Sequence, residues 1–446
     1  MLILKSARAV DWNPPRVQEH ADIVIEKDTI LAVGPNAALS YYDRADHVID
    51  CGGKIVHPGL VCSHHHYYSG LSRGVLAEIG PTPDFISILK QLWWRLDRSL
   101  TDEDIYWSSM ICSIDALKCG TTAVIDHHAS PGCIPGSLDH IRRGFEETGL
   151  RGMTCYEVTD RNNGAEEAQM GIEENIRFAR TIDRERKEGT WSGLCEAAVG
   201  AHAPFTVTDE ALEGIADAIA QTGRGIHIHV AEDRYDVSHS HHYYGKDLIR
   251  RLDDAGVINE KALLVHGVHL SEAEIELINE RDAFLIHNAR SNMNNGIGYN
   301  GHLPGVKHAV LGTDGIGANM FEEFKIAFFK HKDASGSLWP DDFTRMLSGG
   351  NRILERYFNR PFGVIEPGYA ADLVISDYLS PTPLEAENIA GHMAFGMGAQ
   401  DVRTVIVNGK IVMEDRSFSL DVEQVYRKAA EAAKRLWKYM DTLSAR

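Results

Sequence analysis

The sequence has few cysteines, no cysteine-pair motif and no long hydrophobic run. Its seven cysteines among 446 residues are scattered, and no two have the C-x-x-C spacing. This pattern excludes a zinc ribbon or a disulfide framework and predicts reduced thiols, as in a cytoplasm. No charged lead-in followed by an apolar stretch opens the chain, and no apolar segment is long enough to span a bilayer. We therefore expect a cytoplasmic protein without a membrane anchor.

Positive charge is scarce relative to negative charge. The chain has 45 lysines and arginines against 64 aspartates and glutamates, for a formal net charge of −19. A surface of this sign repels nucleic acids and anionic membranes, so neither is an expected partner. A small-molecule substrate is not excluded, because it responds mainly to the charges of its own pocket. A length of 446 residues with 43% hydrophobic residues allows one large domain and a smaller one.

The two ends of the chain have the pattern of short β-strands. Residues 21–33 contain two apolar runs separated by a polar turn, and residues 405–412 contain two more around Asn408-Gly409. An Asn-Gly pair between apolar runs favours a tight hairpin. We predict one small β-sandwich domain assembled from residues 1–57 and 359–446, with a closing amphipathic helix over residues 422–443.

The middle of the chain alternates short apolar strands with longer, mostly helix-like segments. Eight such strands with intervening helices, over roughly 300 residues, match a (β/α)₈ barrel in number and size. We therefore predict an α/β fold with a TIM-like barrel over residues 58–358. The predicted strands cover residues 60–62, 123–125, 152–156, 195–199, 225–230, 262–265, 283–286 and 309–311.

Histidines and carboxylates follow these strands directly, at the ends that converge on one mouth of a barrel. His64 and His66 have a spacing of two and so project to the same side of an extended chain, whereas His65 points away. A series of imidazoles with one carboxylate suits Zn²⁺ or Fe²⁺ and leaves room for water. The series therefore predicts a metal site. Its members at successive strand ends are His64, His66, His229, Glu232, His266, His287 and Asp314.

Several segments resemble the amidohydrolase superfamily in the order in which they occur. Residues 58–66 (PGLVCSHHH) resemble its opening H-x-H signature, and residues 229–232, 265–267, 287–292 and 312–314 resemble its cytosine deaminase and chlorohydrolase branch. Through residues 62–64, 126–131 and 288–295 the chain is most similar to the SsnA-type aminohydrolases, a group associated with purine breakdown. The resemblance extends over essentially the whole chain.

The resemblance implies a ligand set and a mechanism. The metal ligands would be His64, His66, His229 and Asp314, holding one divalent transition metal ion, with zinc favoured and Fe(II) as the alternative. Two-metal members commonly use a fourth-strand lysine, and residues 193–202 contain none, which indicates a single ion. Asp314 would accept a proton from a water activated by the metal. His266 would hold the hydroxide, and Glu232 would protonate the substrate.

The same resemblance implies a substrate and a set of contacts for it. His202, His287, Arg290 and Asn292 are the expected substrate-binding residues. The expected reaction is hydrolytic deamination of a small purine-like or pyrimidine-like heterocycle, which releases ammonia. Hydrolysis of a cyclic amide, which opens the ring, uses the same groups and stays open, as does a non-enzymatic scaffold. A homodimer is expected by resemblance.

Overall fold

The computed structural model describes residues 1–445 as an α/β fold with seventeen strands in three sheets. Residue 446, the last of the predicted small domain, lies outside the described residues. The strands are β1 (Leu2–Trp12), β2 (Pro15–Glu26), β3 (Thr29–Gly34), β4 (His47–Asp50), β5 (Ile55–Pro58), β6 (Leu60–His65), β7 (Thr121–Asp126), β8 (Arg151–Thr154), β9 (Cys195–Ala197), β10 (Val199–Ala201), β11 (Ile226–Val230), β12 (Leu263–His266), β13 (Phe284–His287), β14 (Ala309–Leu311), β15 (Leu373–Ser376), β16 (Val402–Val407) and β17 (Lys410–Met413).

Fourteen α-helices lie among these strands within residues 1–445. None of them is long and apolar enough to cross a membrane. They are α1 (Phe85–Ile88), α2 (Trp94–Ser99), α3 (Asp102–Lys118), α4 (Ser137–Thr148), α5 (Ala165–Glu188), α6 (Asp209–Thr222), α7 (Arg234–Tyr244), α8 (Leu248–Asp254), α9 (Glu272–Glu280), α10 (Ala289–Asn294), α11 (Met320–Asp333), α12 (Pro340–Phe358), α13 (Ile389–Phe395) and α14 (Val422–Met440).

The two ends of the chain meet in one mixed sheet of eight strands. Its order is β17-β16-β15-β5-β1-β2-β3, with β4 beside β1. The antiparallel pairing of β5 with β15 joins strands from both ends of the chain, and the packing of this sheet as a sandwich stays a prediction. The Asn408-Gly409 turn joins β16 to β17, with φ of 52° and 71°, as a tight hairpin requires.

The middle of the chain forms two parallel sheets, one of β6 to β9 and one of β10 to β14. Seven of the eight predicted strands lie where the sequence predicts them. The fourth is divided at Ala198, whose amide donates to the Thr154 carbonyl at 3.1 Å. As a result β9 pairs with β8, while β10 pairs with β11. A parallel bridge at His65–Asp314 links β6 to the segment after β14, and a second at Val158–Ala201 links the segment after β8 to β10.

The parallel strands are buried, with helices packed outside them, so they appear in the sequence as short apolar runs. Between the strands lies a cluster of apolar side chains that includes Val61, Ile125, Met153 and Ile286. A buried ion pair connects this region to the mixed sheet, with Arg151 Nε 2.6 Å from Asp372 Oδ2. These contacts hold the strand ends, and the polar side chains that follow them, in fixed positions. All seven cysteines are unpaired.

Candidate active site

The histidines that follow the parallel strands converge in the structure. His64 lies in β6, His229 in β11 and His266 at the end of β12, and all are buried. Asp314 follows β14, and both His266 and Asp314 have left-handed backbone conformations, with φ of 70° and 54°. Such a conformation costs of order 1 kcal/mol or more for a residue other than glycine and is concentrated at functional sites. It turns both side chains toward the shared centre.

Main-chain carbonyls fix the ring orientations of two of these histidines. His66 Nδ1 donates to the His127 carbonyl at 2.7 Å, and His229 Nδ1 donates to the His202 carbonyl at 2.8 Å. Both Nε2 atoms therefore face the centre, 3.1 Å apart, and His66 Nε2 lies 3.1 Å from Asp314 Oδ1. Two ring nitrogens and a carboxylate at these distances must share a positive charge, either a proton or a metal ion.

His64 completes the group. Its Nδ1 lies 2.9 Å from His227 Nε2, which directs its Nε2 toward Asp314 Oδ1 at 3.6 Å. The Nε2 atoms of His64 and His266 are buried and have no hydrogen-bond partner. One ligand atom each from His64, His229, His266 and Asp314 lies within 4.8 Å of the others.

This donor set fits a divalent transition metal ion. Neutral imidazoles with one carboxylate are typical zinc and iron ligands. The contacts of His66 and His229 with main-chain carbonyls are of the kind that orients metal-bound histidines. Burial lowers the pKa of His66, but the Asp314 carboxylate outweighs this effect and raises it to about 9, so a bound metal ion displaces a proton there.

Two carboxyl groups beside this centre have opposite pKa shifts. Burial raises the pKa of Glu232 well above its ordinary value, and the nearby Asp314 carboxylate raises it further. Burial would also raise the pKa of Asp314, but the His64 and His66 ring nitrogens that face it hold this pKa well below its ordinary value. His266 Nε2 lies between the two, 3.5 Å from Glu232 Oε2 and 4.0 Å from Asp314 Oδ2. Glu232 is therefore suited to donate a proton and Asp314 to accept one.

The segment from Ser291 to Asn295 contacts all three of these side chains. Ser291 Oγ donates to Asp314 Oδ2, and Asn292 Oδ1 accepts from His266 Nδ1 at 2.8 Å. Asn295 Nδ2 lies 3.4 Å from Glu232 Oε1. Helix α10, which starts two residues after β13, and the residue that follows it thus orient the Glu232, His266 and Asp314 side chains.

The cavity above the site has a charged floor and apolar walls. It encloses about 800 Å³, its open mouth included. Helix α1 and the turn after it supply the upper wall, and the segment after β10 supplies the facing one. The apolar lining residues are Phe85, Ile86, Leu89, Trp93, Phe205, Tyr235 and Ile316.

Three of the four expected substrate contacts do not line this cavity. Arg290 is turned away, because its Nε donates to Glu323 at 2.6 Å and its other nitrogens to Glu322 and the Gly317 carbonyl. Asn292 is occupied by His266, and His287 is buried against the Tyr299 ring. That Arg290, Asn292 and His287 bind substrate stays a prediction, and here their side chains contact other protein groups. The fourth, His202, does line the cavity.

Glu157 also lines the cavity, and sequence reasoning missed it. It lies three residues after β8, is 3% exposed, and pairs with Arg161 and His127. Burial would raise its pKa, but the His127 ring and the Arg161 guanidinium lower it well below the ordinary value, so it is ionised. The rule used for the histidines would also have identified Glu157, because polar residues at the carboxyl ends of barrel strands face the mouth of the barrel.

A model of the amidohydrolase family matches residues 55–412 of the chain. The chain belongs to the amidohydrolase family. The resemblance seen in the sequence motifs is thereby confirmed. As a member, the protein is an enzyme, a hydrolase of carbon–nitrogen bonds other than peptide bonds.

Individual relatives of this amidohydrolase match nearly its whole length. A 5-methylthioadenosine/S-adenosylhomocysteine deaminase of Pelotomaculum thermopropionicum is 32% identical over 435 residues, 95% of this chain and 96% of the relative. A 5'-deoxyadenosine deaminase of Methanosarcina mazei is 30% identical over 444 residues, 98% of each chain. A solved structure of an adenosine deaminase from Xanthomonas campestris with bound zinc has a TM-score of 0.83 at 24% identity and covers 98% of both chains, which shows a shared fold.

Proposed function

We propose that this amidohydrolase deaminates a small amino-substituted heterocycle, purine-like in shape, and releases ammonia. The observation that carries the proposal is the position of Glu232. Glu232 is a carboxyl group with a raised pKa that lines the cavity. Its Oε2 lies 3.5 Å from His266 Nε2, beside the histidines and Asp314 that could hold a metal ion. Water adds to an amino-bearing ring carbon more readily when the neighbouring ring nitrogen is protonated, and a buried protonated carboxyl group supplies that proton.

The metal ligands in this proposal are His64, His66, His229 and Asp314. His266, which also points at the centre, acts instead on the reacting water and substrate. When bound there, a divalent ion such as zinc lowers the pKa of water toward neutrality. The bound zinc of the similar Xanthomonas structure supports this choice of metal. One ion per chain is expected, because β9 and β10 carry no lysine.

The chain's own residues then divide the proton transfers. Asp314 accepts a proton from the attacking water through Oδ2, the oxygen that Ser291 holds. Glu232 protonates the ring nitrogen next to the carbon that is attacked. Asp314 then passes its proton to the amine, which leaves as ammonia, and the proton of the added hydroxyl returns to Glu232 as the C=O bond forms. His266, held by Asn292, stays within reach of both carboxyl groups. The apolar walls exclude bulk water from the ring.

The relatives support a purine-type ring, since two of them are named for deamination of adenosine derivatives. The proposal also covers the domain architecture, the oligomeric state and the cellular compartment. The two parallel sheets would close as a (β/α)₈ barrel over residues 58–358, with residues 1–57 and 359–446 as the small domain. A homodimer in the cytoplasm stays a prediction, and seven unpaired cysteines are consistent with that compartment.

An ammonia-release assay on the metal-loaded enzyme tests the proposal. The panel contains aminopurines, aminopyrimidines, their oxidised forms and cyclic amides of similar size. We expect ammonia and the corresponding oxo-ring from at least one amino compound, with activity lost after chelation and restored by zinc or Fe(II). Ring-opened products without ammonia would replace the proposed reaction with cyclic-amide hydrolysis. A purified protein that takes up no metal at micromolar concentration would refute both reactions.

A further inference from the structure

Glu157 has no part in the proton transfers, yet it lies in the wall of the same cavity. Its side chain is 3% exposed and lines the cavity together with Asp314, and it follows the third parallel strand whereas Asp314 follows the last. A carboxylate buried this deeply is costly unless its oxygens have partners. The protein groups that bind the Glu157 carboxylate therefore determine how many of its acceptor positions remain for hydrogen bonds from a ligand.

The protein satisfies only part of the acceptor capacity of Glu157. Arg161 donates to Oε1 at 3.2 Å, and His127 Nδ1 lies 3.2 Å from Oε2. Arg161 is itself held by an ion pair with Asp97 and lies over the Trp94 ring. A carboxylate has about four acceptor positions on its two oxygens. These partners keep the charge in place and leave acceptor positions for a ligand.

His202 presents a second acceptor beside the first. Thr206 Oγ1 donates to the Ala203 carbonyl at 3.1 Å, and it therefore accepts from His202 Nδ1 at 2.6 Å. The other ring nitrogen of His202, Nε2, then carries a lone pair. That nitrogen lies 3.7 Å from Glu157 Oε1, and both side chains line the cavity. Two adjacent acceptors on a cavity wall match a ligand that brings hydrogen-bond donors to them.

We propose that Glu157, together with His202, binds N–H groups on one edge of the substrate ring and so determines which heterocycles are accepted. The inference rests on the proposed function and narrows its substrate class. Glu232 donates a proton, so it requires a ring nitrogen that accepts one. Glu157 accepts, so it requires a ring edge with an N–H. The substrate is then an amino-substituted ring with a free N–H on that edge, and alkylation or glycosylation of this nitrogen removes the contact.

The experiment compares ring pairs that differ only in an N–H or an N-methyl group at each ring nitrogen. Both kcat/KM for ammonia release and the Kd of each ring are measured on the zinc-loaded enzyme. We expect one N–H form to exceed its N-methyl partner by about 100-fold or more in both measurements, because a site built for a donor is left unpaired by an analogue without it. In Glu157→Ala this preference should fall to within about threefold. In Glu157→Gln, which keeps an uncharged acceptor, it should fall to about tenfold.

Glu196→Gln is the matched control. Glu196 is as buried as Glu157 and also pairs with arginines, Arg186 and Arg224, but it does not line the cavity. The Glu196→Gln variant should lose thermal stability as Glu157→Gln does, and it should keep the full preference for the N–H ring. A Glu157→Gln variant that keeps the wild-type preference would overturn the inference.

The outcomes separate the two proposals. Equal ammonia release from N–H and N-methyl rings would overturn the role of Glu157 and leave the deaminase function intact. Selective binding of the N–H ring without ammonia release would overturn the deaminase function and support Glu157. A panel in which no ring binds or reacts would overturn both.

Discussion

His266 Nδ1 donates a hydrogen bond of 2.8 Å to the side-chain oxygen of Asn292. The bond fixes the tautomer of His266 and leaves its Nε2 unprotonated, facing Glu232 and Asp314. Asn292 is thus a positioning residue, although its place in the sequence suggests a substrate contact. With Ser291 on Asp314 and Asn295 near Glu232, one short segment fixes the relative orientation of the groups that we propose transfer protons.

Replacement of Asn292 by alanine should lower kcat about 10- to 100-fold, the usual cost of losing such an orienting partner. KM should change little, because the side chain does not line the cavity. Asn292→Asp keeps an acceptor for His266 Nδ1 and should recover part of the lost rate. Steady-state kinetics of both variants, with zinc content measured alongside, check the prediction. A kcat equal to wild type in Asn292→Ala would contradict it.

Glu232→Gln should keep its metal ion and lose at least about 100-fold in turnover, since it removes the proton donor without changing the shape of the side chain. Metal analysis and ammonia release are measured on the same preparation. Glu272→Gln, in the first turn of α9, is the surface control and should behave as wild type. If Glu232→Gln loses the metal ion, then Glu232 is a ligand and its assignment as an acid is wrong.

The pH dependence of kcat/KM should be bell-shaped. Activity falls at low pH as Asp314 gains a proton and at high pH as Glu232 loses one. Burial and the Asp314 carboxylate raise the pKa of Glu232, so the basic limb lies above the ordinary range of a carboxyl group. Asn295 donates to the Glu232 carboxylate and lowers this pKa. Asn295→Ala should therefore move the basic limb to higher pH, whereas the surface control Glu272→Gln should leave it in place.

Metal content should distinguish two neighbouring histidines. His64→Ala removes a nitrogen that faces the centre and should lose most of the bound metal ion. His65→Ala should keep it, because His65 Nδ1 accepts from the His66 amide at 2.8 Å and its ring packs on Tyr67. Inductively coupled plasma mass spectrometry of both purified variants gives the ratio of metal to protein. Metal loss from His65→Ala would mean that the register of β6 is misread.

Much of this molecule is predictable from local pattern. Seven parallel strands appear as apolar runs because both faces of each are buried. The turn at Asn408-Gly409 follows from residues that adopt positive φ readily. The division of the fourth strand is not local, because it depends on which neighbouring strand each half meets. A single sheet from both chain ends also depends on a pairing between residues more than 300 positions apart, as between Pro58 and Leu373.

The sequence by itself determined which residues are candidate metal ligands, since an alternating strand sends His64 and His66 to one side and the fold gathers strand ends at one mouth. Only the tertiary structure decided the partners of the remaining side chains. Arg290 faces Glu323, Asn292 holds His266, and Glu157 lines the cavity beside His202. The physical reason is that a strand's periodicity is set by its own backbone. A hydrogen bond or ion pair depends on two segments that only folding brings within about 3 Å.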